Sequence, residues 1–135
     1  MTESTPRTAA RVAAIGLAGT ALFPLALASG LPWGAAAWGG LYEQLPPQLR
    51  VSSAISAVVL VAAAALLLRR AGFWGTSSTP VRVLSWLLVP LLALSALGNF
   101  VSANRWENLL MGPLALVLSV LCAGVARSRI AASEA

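Results

Sequence analysis

Residues 98–110 read GNFVSANRWENLL, and most of the groups able to do chemistry are gathered there. Asn99, Ser102, Asn104, Arg105, Glu107 and Asn108 offer amides, a hydroxyl, a guanidinium and a carboxylate between two apolar runs. Glu107 could act as a binding carboxylate or a general acid–base. A local reading competes with this one. Asn104 and Glu107 stand three residues apart, the spacing of a capping box: the amide accepts from a first-turn N–H and the Glu reaches back to the Asn N–H. The helix dipole also favours an anion there, and Trp106 suits headgroup depth.

Ser95, Asn99 and Ser102 follow at i, i+4 and i+7, so they share one helix face over about 10 Å. Ser52, Ser53 and Ser56 form a second polar set near the start of the preceding helix. Far from both, Ser85 is nearly alone. Two readings of these groups stay open. They could simply hydrogen-bond between helices, at about 0.6 kcal/mol on average. Alternatively, Ser56, Ser95, Asn99, Ser102, Arg105 and Glu107 form a polar pocket for a ligand. Pro24, Pro90 and Pro113 fall inside helices, where each removes a backbone hydrogen bond and favours bending. Helices bent near Pro24 and Pro113 would splay toward that pocket.

The loop LPWGAAAWGGLYEQL, residues 31–45, is too long for a tight turn and too apolar for a solvated one. Trp33, Trp38 and Tyr42 are amphipathic rings spaced to lie along an interface. We expect the loop to fold over the mouth of the pocket, with Glu43 or Arg50 pairing across to Arg105 or Glu107.

Other chemistry is sparse. The chain has no His, and Cys122 is a single thiol in an apolar run, suited to packing. Neither a disulfide, a redox pair nor a zinc set can be assembled. No catalytic residue, metal or cofactor is therefore expected.

The elements that must carry these residues follow from composition. Of 135 residues, 59% are hydrophobic and 10% charged, with a mean hydropathy of +0.83. A soluble domain carries roughly 25% charged residues, and a chain this short cannot hide so much apolar surface. Lipid must be the solvent. A hydrocarbon core needs about 20 apolar residues in helical form, and four segments qualify: residues 8–29, 47–69, 80–102 and 105–126. Each would be about 33–36 Å long. The fold class expected is all-α, a four-helix transmembrane bundle forming a single integral membrane domain, with an interfacial loop between the first two helices. Thr79–Pro80 and LPPQLR mark helix starts, and RRAGFWGTSS a stop and turn. Small residues four apart (Ala14 and Ala18, Gly16 and Thr20, Ser52 and Ser56) allow close helix contacts.

Four spans put both termini and the middle loop on one side. That side carries Arg7, Arg11, Arg69, Arg70, Arg82, Arg127 and Arg129, against Arg50 and Arg105 on the other. Positive charge marks the cytoplasmic face. Both termini are thus expected inside, and the pocket and loop outside. This also accounts for the formal charge of +5 without nucleic acid, although the arginines could touch anionic lipid heads. A competing reading takes Arg7, Arg11, the first apolar run and Ala26-x-Ala28 as a cleaved signal peptide, leaving three spans.

PWGAAAWGG, LPPQLRVSS and NFVSANRWENLLMGPLALVLSVLCA resemble a recurrent pattern in small four-helix bacterial membrane proteins with no assigned activity. The resemblance implies a bacterial inner-membrane location and the same topology, and it brings no functional residue. Small multidrug exporters carry an acidic residue within their first helix; this one has none. The Phe- and Thr-rich motif of fluoride channels and the cysteine pairs of quinone-linked oxidoreductases are missing too. The function expected is an interaction module that binds lipid, a hydrophobic ligand or a membrane-protein partner. The alternative is an oligomeric channel or facilitator lined by the Ser95–Asn99–Ser102 face. An enzyme is the weakest fit.

Overall fold

The computed structural model describes residues 4–76, 78–102 and 104–127. Among them are four helices and no strand: α1 (Ser4–Ala28), α2 (Pro47–Arg70), α3 (Thr79–Phe100) and α4 (Gly112–Ala126), the last entered through a π-helical turn, Glu107–Met111. Two 3-10 turns, Gly34–Ala36 and Trp38–Gly40, shape the loop between α1 and α2. Each helix, with α4 extended through its π turn, is long and apolar enough to cross a membrane. The chain is an all-α four-helix bundle of the multi-pass membrane type.

Local chemistry sets the boundaries. Pro47 begins α2, and Pro80 lies in the first turn of α3, where a missing N–H costs nothing. Ser78, not Thr79, is the residue preceding α3, and its side chain makes no capping bond. Two C-termini close in the same way. Gly30 (φ +100°) and Gly72 (φ +85°) take the left-handed conformation that ends a helix. The next N–H groups, of Leu31 and Phe73, then reach back to the carbonyls of Ala26 and Leu68 at 3.1 and 2.9 Å.

Pro24 and Pro90 sit inside α1 and α3 as expected. Pro113 also lies inside the fourth span, where it directly follows the π turn at the start of α4. Its ring would press on the carbonyl four residues back in a regular helix. The extra residue of the π turn, closed by the Gly112 N–H on the Glu107 carbonyl, lets the chain enter α4 without that clash.

The interior is built from small side chains. Ala10, Ala13, Ala14, Ala63, Ala64 and Ala71 pack with Leu17, Leu67, Leu92, Leu118, Cys122 and Val125. Large residues point the other way: Ile15, Leu22, Val58, Leu94, Leu97 and Val120 are all exposed. Water would penalise that distribution, whereas lipid accepts it and rewards close backbone approach. Gly16 shows how close: a Cβ there would lie 2.8 Å from Leu118 Cδ2. On α2 the buried pair is Ser53 and Ala57. Ser52 and Ser56, one position around the helix, are only half-buried, so their spacing does not mark the contact face.

α1 packs chiefly on α2, and α3 on α4; the two hairpins join mainly through α1 and α4. Arg7, Arg11, Arg69, Arg70 and Arg82 gather at one end. Arg7 and Arg11 lie over the Phe73 ring, 4.3 and 4.9 Å from its centre, tying the start of α1 to the turn after α2. Arg70, one of the arginines that mark membrane orientation, is only 3% exposed. Its Nη2 donates to the Ala126 carbonyl at 2.8 Å, so it fastens the end of α2 to the end of α4. Arg129 lies outside the described residues.

Candidate functional site

At the end opposite these arginines the four helices part around a cavity of about 370 Å³. Thr20, Phe23, Pro24 and Leu27 come from α1; Ser53, Ser56 and Leu60 from α2; Leu92, Ser95 and Asn99 from α3. Glu107, Met111, Leu114, Ala115 and Leu118 close the α4 side, and Ala37 and Trp38 of the loop form the roof. Leu92 and Leu118 also belong to the buried core, so the apolar floor continues into packed hydrocarbon. The cavity is partly open, and Ser95 on α3 is an exposed residue of its lining.

Three hydrogen bonds hold the roof to the helices. Trp38 Nε1 donates to Ser53 Oγ at 3.1 Å. The Gly39 N–H donates to Glu107 Oε1 at 3.1 Å. Asn104 Nδ2 donates to the Ala35 carbonyl at 2.9 Å. Within the loop, the Gly34 N–H donates to the Glu43 carbonyl at 2.8 Å, drawing its two ends together. Trp38 is held at φ +51°, a region bulky residues rarely enter. The ties at Ser53 and Glu107 on either side of it explain how that conformation is maintained.

Glu107 does not complete a capping box. Asn104 behaves as a cap, its Oδ1 accepting the Trp106 N–H at 3.1 Å. The Asn104 N–H, however, donates to Ser102 Oγ at 3.1 Å, and the Ser102 hydroxyl donates to Glu107 Oε2. Ser102 thus stands between the two residues of the expected box. This frees Glu107 Oε1 to receive the loop.

Of the residues expected in the pocket, Ser56, Ser95, Asn99 and Glu107 line the cavity. Ser102 supports Glu107 from outside the lining, and Arg105 is exposed and apart from it. Of the residues expected in the cap, Trp38 lines the cavity while remaining partly exposed, and Trp33, Tyr42, Glu43 and Arg50 are exposed and outside the lining. Arg50 Nε donates to the Ala28 carbonyl at 3.1 Å, bracing the end of α1. The expected ion pairs do not form: among the described residues, neither Glu43 nor Arg50 meets Arg105 or Glu107. A backbone N–H and a serine take the carboxylate, and a carbonyl takes the guanidinium.

Ser53 was one of three neighbouring serines in sequence, and only helix phase shows it to be the buried one. Asn104, legible as a cap, also anchors the loop. Away from the cavity, Ser119 Oγ bonds the Val89 carbonyl across α3 and α4 at 2.9 Å, an interhelical bond of the kind expected for polar groups in lipid.

The cavity is mostly apolar, with a polar end in which Glu107 is the charged lining residue. Among the described residues no three His, Cys, Asp or Glu side chains come together to hold a metal. No protein-family model, curated protein or solved structure matches the chain.

Proposed function

We propose that this chain is a bacterial cytoplasmic-membrane protein that holds a small amphipathic molecule, lipid or lipid-like, beneath the loop of residues 31–45. The observation carrying this reading is the cavity itself: a partly open apolar chamber with a few convergent polar groups. Ligand sites commonly enclose about 300–1,000 Å³, so 370 Å³ suits a small molecule or the head and first carbons of a lipid. A longer tail would leave past Ser95 into the bilayer.

The arginine distribution supports cytoplasmic termini and an outward-facing cap, so the ligand would enter from the outer leaflet or the space beyond it. Binding without catalysis is the economical reading, because Glu107 has no second acid or base beside it in the cavity. The conduit reading finds less support. Below the cavity Leu17, Leu67, Cys122 and Val125 are fully buried in the core, so a polar path would have to run between copies.

Native mass spectrometry in nanodiscs formed from the cell's own lipid tests this. The wild-type chain is expected to retain one small amphiphile. Ala115→Phe, which fills the cavity from α4, is expected to retain at least tenfold less. A bare wild-type chain, or equal retention by the variant, would refute the proposal.

A further inference from the structure

We infer that the cavity selects molecules with a cationic nitrogen head, of the alkylammonium type. This deepens the ligand-binding reading and rests on it. The polar end can be inventoried atom by atom. Glu107 lines the cavity, and its carboxylate receives two neutral hydrogen bonds, from Gly39 and Ser102. A carboxylate accepts about four, so it has acceptor capacity to spare.

Several donors near it are committed, although the Ser53 and Ser95 hydroxyls of the lining donate to no acceptor among the described residues. The Trp38 N–H is given to Ser53, the Ser56 hydroxyl to the Ser52 carbonyl at 3.0 Å, and the Thr20 hydroxyl to the Gly16 carbonyl at 2.6 Å. Asn99 turns its Nδ2 to the Ser95 carbonyl at 2.8 Å, leaving its Oδ1 as an acceptor in the lining. Among the described residues no arginine lines the cavity and no ion pair neutralises Glu107. The site therefore presents one carboxylate charge, accepting oxygens and two serine hydroxyls to its occupant, and the carboxylate is its only full charge among the described residues.

An anionic or phosphate-only head would meet repulsion there. A neutral hydroxyl would bring a hydrogen bond but no charge to balance the carboxylate. An ammonium supplies both donors and the missing charge, and such charge-assisted bonds are the stronger kind. Trp38 adds an aromatic ring at the same end, which attracts cations. The apolar floor from Leu60 to Leu118 takes the attached chain.

The test is calorimetric titration of the full chain in nonionic maltoside micelles, with empty micelles subtracted. Octylammonium is expected to bind at least tenfold more tightly than octanol. In Glu107→Gln, whose amide oxygen can still accept a hydrogen bond from the loop, the two should bind alike while the unfolding temperature is retained. Octanol matching octylammonium on the wild type, or an ammonium preference surviving in Glu107→Gln, would overturn the inference. Equal binding of both would still leave a cavity that takes amphiphiles; binding of neither would remove both readings. Added competitors identify the source. Displacement by phosphatidylethanolamine but not by phosphatidylglycerol points to a lipid head, and displacement by neither points to a free amine. Equal displacement by both contradicts ammonium selection.

Discussion

Gly34→Ala will open the roof of the cavity while leaving the four helices assembled. A Cβ at this position would lie 2.0 Å from the Tyr42 carbonyl oxygen and 2.7 Å from that of Glu43. Both are backbone atoms, so no side chain can swing aside to make room. The Gly34–Glu43 bond that closes the loop must break, and the geometry that presents Trp38 to Ser53 is lost with it. The loop supplies none of the core cluster, so the unfolding temperature should change little. Limited proteolysis within residues 34–43 is expected to quicken at least tenfold, and amphiphile affinity to fall by a similar factor. Gly98→Ala is the matched control: a Cβ there meets nothing within 4 Å, and alanine is the better helix former. Unchanged cleavage and affinity in Gly34→Ala would show that the loop does not seal the site.

Arg70→Leu is expected to be the most destabilising of the arginine changes, and Arg69→Leu among the mildest. The two are neighbours in sequence but point about 100° apart around α2. Arg70 is buried and donates to the last-turn carbonyl of α4, where a cation is also favoured by the helix dipole. A hydrogen bond from a charged donor contributes about 1.5–3 kcal/mol, and the leucine leaves that carbonyl without it. Arg69 bonds the Thr76 carbonyl at 2.9 Å and lies 5.2 Å from the centre of the Trp74 ring. An exposed cation–π contact contributes about 0.5–1 kcal/mol. Denaturant titration in micelles should separate the two variants by about 1 kcal/mol or more. Equal losses would mean that the burial of Arg70 carries no stabilisation.

These two residues show where sequence reading works and where it stops. The spans were legible because apolar runs and their Pro, Gly and Arg boundaries are local signals. Arg69 and Arg70 have the same meaning for membrane orientation, and only the phase of α2 separates the buried one. The cap was legible in outline from Trp33, Trp38 and Tyr42, since aromatic rings in an apolar loop seek an interface. Its fastening was not. The Gly39–Glu107 contact joins residues 68 positions apart and uses a backbone N–H, which leaves no mark on residue type. Charge pairing suggested partners for Glu107 and Arg50, but a backbone N–H and a serine hydroxyl took the first and a backbone carbonyl the second. The π turn before Pro113 was not legible for a related reason: it depends on how the chain enters a helix, and sequence periodicity does not reveal it.

Cap, cavity and Glu107 occupy one end of the bundle and the packed arginines the other, so the ligand's source depends on which end faces outward. Single thiols in a Cys122→Ser chain decide this, with Gln44→Cys beside the cap and Thr76→Cys in the turn after α2, both exposed positions. A membrane-impermeant maleimide added to intact cells is expected to label Gln44→Cys, and to reach Thr76→Cys only after lysis. Labelling of Thr76→Cys in intact cells, with Gln44→Cys protected until lysis, would turn the cavity toward the cytoplasm and contradict uptake from the outer side.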